Sequence, residues 1–212
     1  MHNGIEYSAQ GSEVEPQSVG TLVGQTTLVG YDIYENDRKY TKTGQIFALN
    51  RISPNCAVAV QLEGFDEYFI YKNGWYTPET MGDLIDDLNL RENLVINQID
   101  YSYWKDGRTV NGNFIQMQYT IADPSVVWEM LLNDRTLKNE GDAHYSKAAM
   151  GVSVDVLIVG QKNISLAVNE DGYLQTNILD SGKSFFIGKD KVQAFIAYVL
   201  AHGNGTEIAS ST

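Results

Sequence analysis

Apolar residues recur along this chain in two rhythms, and each rhythm predicts a kind of element. Three segments carry the helical period. Met81, Leu84, Ile85 and Leu88 fall at i, i+3, i+4 and i+7, with Thr77 placed as N-cap, Pro78 at the first helical position and Glu79 in the first turn. Asp123-Pro124 opens a second helix, with Val127, Met130 and Leu131 as its stripe. The third runs from Lys189 to Ala201, turns Val192, Phe195, Ile196 and Val199 inward, and stops at Gly203.

Strand rhythms fill most of the remainder. Short β-rich runs at 45–50, 56–63 and 67–71 are separated by turns, and Asn73-Gly74 is a further turn signal. Residues 94–104 and 113–121 alternate as a long hairpin around Asp106-Gly107 and Asn111-Gly112. Runs at 152–159, 164–168, 173–178 and 184–187 form a second meander, with Glu170-Asp171-Gly172 turning between two of them. Strand runs followed by helices predict an α+β fold of antiparallel meanders, with amphipathic helices packed on one face.

Residues 1–20 and 203–212 are polar and without period, so they read as flexible tails around a domain at 21–202. Each half of that domain runs meander first and helix second. Ala59-Val60 and Ala167-Val168 occupy similar places, and the stripes 81/84/85/88 and 192/195/196/199 share one spacing. Sub-halves at 21–105 and 106–202 are therefore open to a reading as a duplication. Such spacing also belongs to any amphipathic helix.

Composition narrows the class. With 43% hydrophobic and 11% aromatic residues the chain can build a core without disulfide or metal. The net charge of −12 repels phosphate backbones and anionic lipid, which argues against nucleic acid and peripheral membrane as partners. The one cysteine, Cys56, lies in an apolar run and reads as a small buried hydrophobe. No stretch approaches the roughly 20 apolar residues of a membrane span, and no basic-then-apolar leader opens the sequence. The chain is expected to be cytosolic or a segment of something larger.

Catalytic sets fail one at a time. His2 lies in the expected tail, His144 in a polar connection, and His202 suits the end of the last helix. No two histidines share a helical face, so no zinc site and no cofactor is expected. Ser181-Gly182-Lys183-Ser184 resembles the end of a phosphate loop, but it sits between two strands and reads as a turn. Lys42-Thr43-Gly44 and Ser102-Tyr103-Trp104-Lys105 are fragments of a serine acyl-transfer set. Their order is reversed, however, and a strand would point Ser102 and Lys105 to opposite faces. Asp83, Asp86 and Asp87 read as a solvated helix face, and Asn169-Glu170-Asp171-Gly172 as a hairpin turn rather than a calcium loop.

Aromatic residues are the remaining candidates. Tyr68, Phe69, Tyr71, Trp75 and Tyr76 gather around one hairpin, and Tyr101, Tyr103 and Trp104 end a strand. Alternation puts Tyr68 and Ile70 on one face, with Phe69 and Tyr71 on the other. Core packing accounts for this pattern. The sharper alternative is a partly exposed groove binding a small ligand, peptide or glycan through Tyr68, Tyr71, Trp75, Tyr76, Tyr103 and Trp104.

A family resemblance rests on structural motifs. Ile46-Phe47-Ala48-Leu49, Ala57-Val58-Ala59-Val60, Tyr68 through Asn73, Tyr76 through Thr80, Leu84 through Leu90 and Asn177 through Gly188 resemble the extracytoplasmic region of BlaR-type antirepressor membrane metallopeptidases of clostridial Firmicutes. The resemblance covers most of residues 28–200. It implies a sensory ectodomain whose conformation is read by a zinc peptidase across the membrane. The zinc-binding helix and the helical Ser-x-x-Lys are missing from this chain, so neither proteolysis nor β-lactam capture is expected of it. The expectation is a non-catalytic extracytoplasmic sensor or regulatory module, part of a membrane-anchored protein, binding an unknown ligand or protein partner; a cytoplasmic location is the alternative. A self-associating module pairing through sheet edges or the aromatic hairpin is the second reading. An enzyme of Asp and Tyr chemistry without a recognisable motif is the third.

Overall fold

The computed structural model describes residues 3–32, 38–104, 114–144 and 148–211, without the side chains of residues 31, 32, 38, 104 and 209–211. The fold is α+β, built on two antiparallel sheets. The first holds β1 (Ser8–Val14), β2 (Val19–Asp32), β3 (Arg38–Leu49), β4 (Ala57–Leu62) and β5 (Tyr68–Lys72), in the order β1-β5-β4-β3-β2. Helices α1 (Met81–Asp87) and α2 (Leu90–Asn93) lead to the second sheet. Its strands are β6 (Leu94–Trp104), β7 (Phe114–Thr120), β8 (Met150–Val156), β9 (Gln161–Val168), β10 (Tyr173–Thr176), β11 (Lys183–Phe186) and β12 (Asn204–Ser211). They run in the order β11-β10-β9-β8-β6-β7-β12, with α3 (Ser125–Leu131) after β7 and α4 (Lys189–His202) before β12.

One hydrophobic core joins the two sheets. Ala57, Ala59 and Ile70 from the first meet Ile99, Val152, Val154, Leu166 and Leu174 from the second, and the helices add Leu84, Val127 and Phe195. Each such side chain contributes about 1.5–3 kcal/mol by leaving water, less for alanine. The stripe Met81, Leu84, Ile85 and Leu88 is fully inward, as its spacing predicts; Val192, Phe195 and Val199 are buried and Ile196 packs at the core's margin. A second, smaller cluster of Ile46, Val58 and Val60 lies on the other face of the first sheet. Alternation along β3 and β4 requires this, because both faces of those strands are apolar.

Several sequence expectations are corrected. The segments read as tails supply strands: β1 pairs with β5, and β12 pairs with β7. Both are edge elements with polar, largely exposed faces, so neither carries an apolar period. The boundary between halves also moves. Cutting at 105/106 would separate β6 from β7, which pair from Ile99↔Tyr119 to Trp104↔Phe114. The sheets instead divide between β5 and β6. The hairpin turn expected at Asp106-Gly107 and Asn111-Gly112 lies outside the described residues, as does Lys105.

The cap of α1 is Thr80 rather than Thr77. Thr80 Oγ1 accepts from Asp83 N–H (3.2 Å), and Asp83 Oδ2 accepts from Thr80 N–H (2.9 Å), which completes a capping box. Thr77 spends its hydroxyl on Trp75 O (3.2 Å). Asn139 N–H donates to Glu79 O, and Thr80 bridges Lys138, so residues leading into the helix stay extended. At the far end of the chain, Gly203 N–H donates to Val199 O (2.8 Å) and closes α4. A Cβ on Gly203 would lie 2.7 Å from that same oxygen, so only glycine allows the chain to turn this tightly into β12.

Candidate functional site

The six aromatic candidates do not form one site. Tyr68 faces the core, edge-on to Phe47 (5.3 Å, 87°), while Tyr71 packs on the opposite face against the Ile46, Val58 and Val60 cluster. The face assignment made by alternation therefore holds. Trp75 stands 82% exposed in the turn after β5. Tyr76 is buried and donates to Asp87 Oδ2 (2.6 Å), so Asp87 is not simply a solvated carboxylate. Tyr103 belongs to the second sheet, stacked on Tyr101 (5.4 Å, 26°), and the side chain of Trp104 lies outside the described residues.

What the structure builds around Tyr71 is a concavity. A cavity of about 500 Å³ is lined by Tyr7 before β1, Ala9 of β1, Leu28 and Val29 of β2, Tyr40 and Lys42 of β3, Leu62 of β4 and Tyr71 of β5. In a flat sheet the two edge strands would stand about 19 Å apart, at about 4.8 Å per strand spacing. That both edges reach one cavity means the sheet coils strongly, with this face inward. The Ile46, Val58 and Val60 cluster forms its apolar floor. Burial raises the Tyr7 and Tyr71 phenols above their usual 10.0, so both stay neutral. Tyr7 donates to Pro54 O (2.7 Å), which fixes its ring, and the Lys42 ammonium sits 4.1 Å from the centre of the Phe65 ring. The volume is that of a small-molecule site. Sequence reasoning missed Tyr7, because its segment has no period, and Tyr40, which only the coil of the sheet brings near Tyr71.

A buried polar centre joins the two sheets. Lys183 has no exposed surface, and its Nζ donates to Ile178 O (2.6 Å), Ser181 O (2.8 Å) and Ser181 Oγ (2.8 Å). Burial brings its pKa down to about 8 from the usual 10.5. Leu179 and Asp180 are both left-handed (φ 58° and 68°), an uncommon state for leucine. Gln161 holds this loop by accepting from Leu179 N–H (2.8 Å), while Lys72 Nζ donates to Asp180 Oδ1 (2.8 Å). Ser181 Oγ donates in turn to Tyr76 O (2.7 Å). The serine–lysine juxtaposition superficially suits acyl transfer. Yet the serine proton is spent on a carbonyl, the ammonium protons all have acceptors, and the tyrosine cavity does not reach the pair. The segment 181–184 does connect two strands, as its turn reading requires. Its buried lysine was legible only in the alternation of Lys183 with Phe185.

Other candidates take structural roles. His144 Nε2 lies 2.8 Å from Glu140 Oε2, and its ring stacks on Tyr173 (4.3 Å, 10°). Asn169 Oδ1 accepts from the N–H groups of Asp171 and Tyr173, which makes 169–173 a side-chain-braced hairpin turn. Ser102 sits on β6 opposite Gln116. Among the described residues no three His, Cys, Asp or Glu side chains gather as a metal site. Among the described residues the tyrosine cavity has no carboxylate in its lining, and a second cavity of about 500 Å³ bordered by β3 and β4 has Glu63. No protein family, curated protein or solved structure matches this chain.

Proposed function

We propose that this chain is a non-catalytic binding module whose ligand seats in the concave, tyrosine-lined face of the five-stranded sheet. The observation that carries this reading is an apolar face coiled around a cavity of about 500 Å³, with Tyr40 (44%) still exposed at its margin. A face that only stabilised the fold would be covered. Neutral phenols, aliphatic walls and a single nearby cation suit an uncharged apolar or aromatic group, on a small molecule or a peptide. The internally satisfied hydrogen bonds at Lys183 and Ser181 favour binding over catalysis. In this reading the module is the sensing part of a membrane-anchored regulator and lies outside the cytoplasm, as the BlaR-type resemblance implies. Protease accessibility on intact cells tests that placement, and a native protein cleaved only after lysis sinks it.

Nile red, a neutral apolar dye, probes the cavity directly. Saturable fluorescence enhancement is expected with the folded chain, weakened about fivefold or more by Tyr40→Ala at the exposed margin and by Tyr71→Ala on the floor. Enhancement that ignores both variants, or none at all, overturns the assignment. A self-associating module is the second reading, favoured by β2. Among the described residues this strand pairs only with β3, and it has no charged residue from Val19 to Tyr31.

A further inference from the structure

The first sheet has a second open site, and its chemistry differs from that of the tyrosine cavity. Gln25 of β2, Gln45 of β3 and Gln61 of β4 stand directly opposite one another, and Tyr68 of β5 continues the row. One step along the strands Thr27 faces Thr43 in the same way. Alternation places this row on the face opposite the Ile46, Val58 and Val60 cluster, beyond the edge of the main core. Gln25, Thr27, Thr43 and Gln45 are all exposed. A cavity of about 500 Å³ lies over Gln25, Thr43 and Gln45, with Gln61 and Glu63 at its far wall.

We infer that this in-register row is a seat for a neutral oligosaccharide. A carboxamide offers donors and an acceptor without charge, and hydroxyls do the same. Three carboxamides and two hydroxyls on a pleated surface therefore match a ligand carrying many closely spaced hydroxyl groups. Gln61 Nε2 donates to Asp66 O (3.3 Å), which orients that amide and leaves its carbonyl oxygen to accept. The three glutamines span about 10 Å at about 4.8 Å per strand, room for roughly two pyranose rings. An anionic ligand would meet Glu63 in the wall and a chain of net charge −12 around it, with Lys42 already seated on the Phe65 ring. A protein partner would find none of the buried aromatic or arginine anchors that dominate such interfaces.

Isothermal titration of the full chain with cellohexaose, N-acetylated chitohexaose, maltohexaose and laminarihexaose tests the assignment. Binding of at least one is expected, weakened about fivefold by Gln45→Ala, the scale of one lost uncharged hydrogen bond. Gln25→Ala should act in the same direction, and both positions are exposed, so folding is unaffected. Tyr40→Ala, in the tyrosine cavity on the opposite face of the sheet, should leave saccharide affinity unchanged. Failure of that cavity and failure of the glutamine row are thereby separable. No binding by any of these saccharides up to about 5 mM, or binding indifferent to both glutamine variants, overturns the proposal.

Discussion

A lysine without exposed surface keeps its proton only where acceptors replace water, and Lys183 has three of them on one loop. The match is imperfect energetically, since burial still lowers its pKa to about 8. Below about 8 both folded and unfolded chains carry this proton; between about 8 and 10.5 only the unfolded chain does, so stability rises with pH there. Burial raises the pKa of Cys56 and of Tyr76, so they act oppositely. Above 9.0 and 10.0 the unfolded chain loses protons that the fold retains, and stability falls. Urea unfolding should therefore show stability climbing from pH 8 to 9 and turning over above 10, with Cys56→Ala extending the climb. A flat profile across pH 8–9 contradicts this account of Lys183. Lys183→Met, which strips three hydrogen bonds, should cost about 2 kcal/mol or more.

Three helices of this chain, α1, α3 and α4, were legible from their apolar stripes, whereas the four-residue α2 is too short to carry one. Their caps were less so. Thr77 and Thr80 are both threonines followed by acidic or apolar turns, and local sequence ranks them nearly equally. The extended link from Thr80 to Lys138 and the reciprocal bonds with Asp83 decide between them. Thr80→Ala should lower unfolding free energy by about 1 kcal/mol, whereas Thr77→Ala should change it by only a few tenths. Equal losses in chemical denaturation would return the cap to Thr77. The edge strands β1 and β12 escaped detection for a related reason. A strand that leaves most of its side chains in water needs no apolar alternation, and its partner strand supplies the hydrogen bonds.

At the scale of the whole molecule, open sheet edges raise the question of assembly. From Gly24 to Asp32, β2 keeps one unbroken register with β3, and it lacks the prolines and lysines that usually guard an edge. Antiparallel pairing about Thr26 would let two copies meet without like charges opposite, despite the acidity of the rest of the chain. Light scattering at about 10–100 µM should then show dimer rising with concentration, and Thr26→Lys should abolish it. A monomer throughout that range removes the self-associating reading.

Local sequence determined the α+β class, the inward stripes of α1 and α4, and the two faces of β5, since each follows from side-chain period alone. It also set the acidic charge. Only the tertiary structure decided that the chain ends are strands, that Lys183 is interior, and that Tyr7, Tyr40 and Tyr71 border one cavity. Each of these depends on pairing between residues far apart in the chain. Cross-strand register and sheet coil, which no local period encodes, turn separate tyrosines into a cavity and three glutamines into a row.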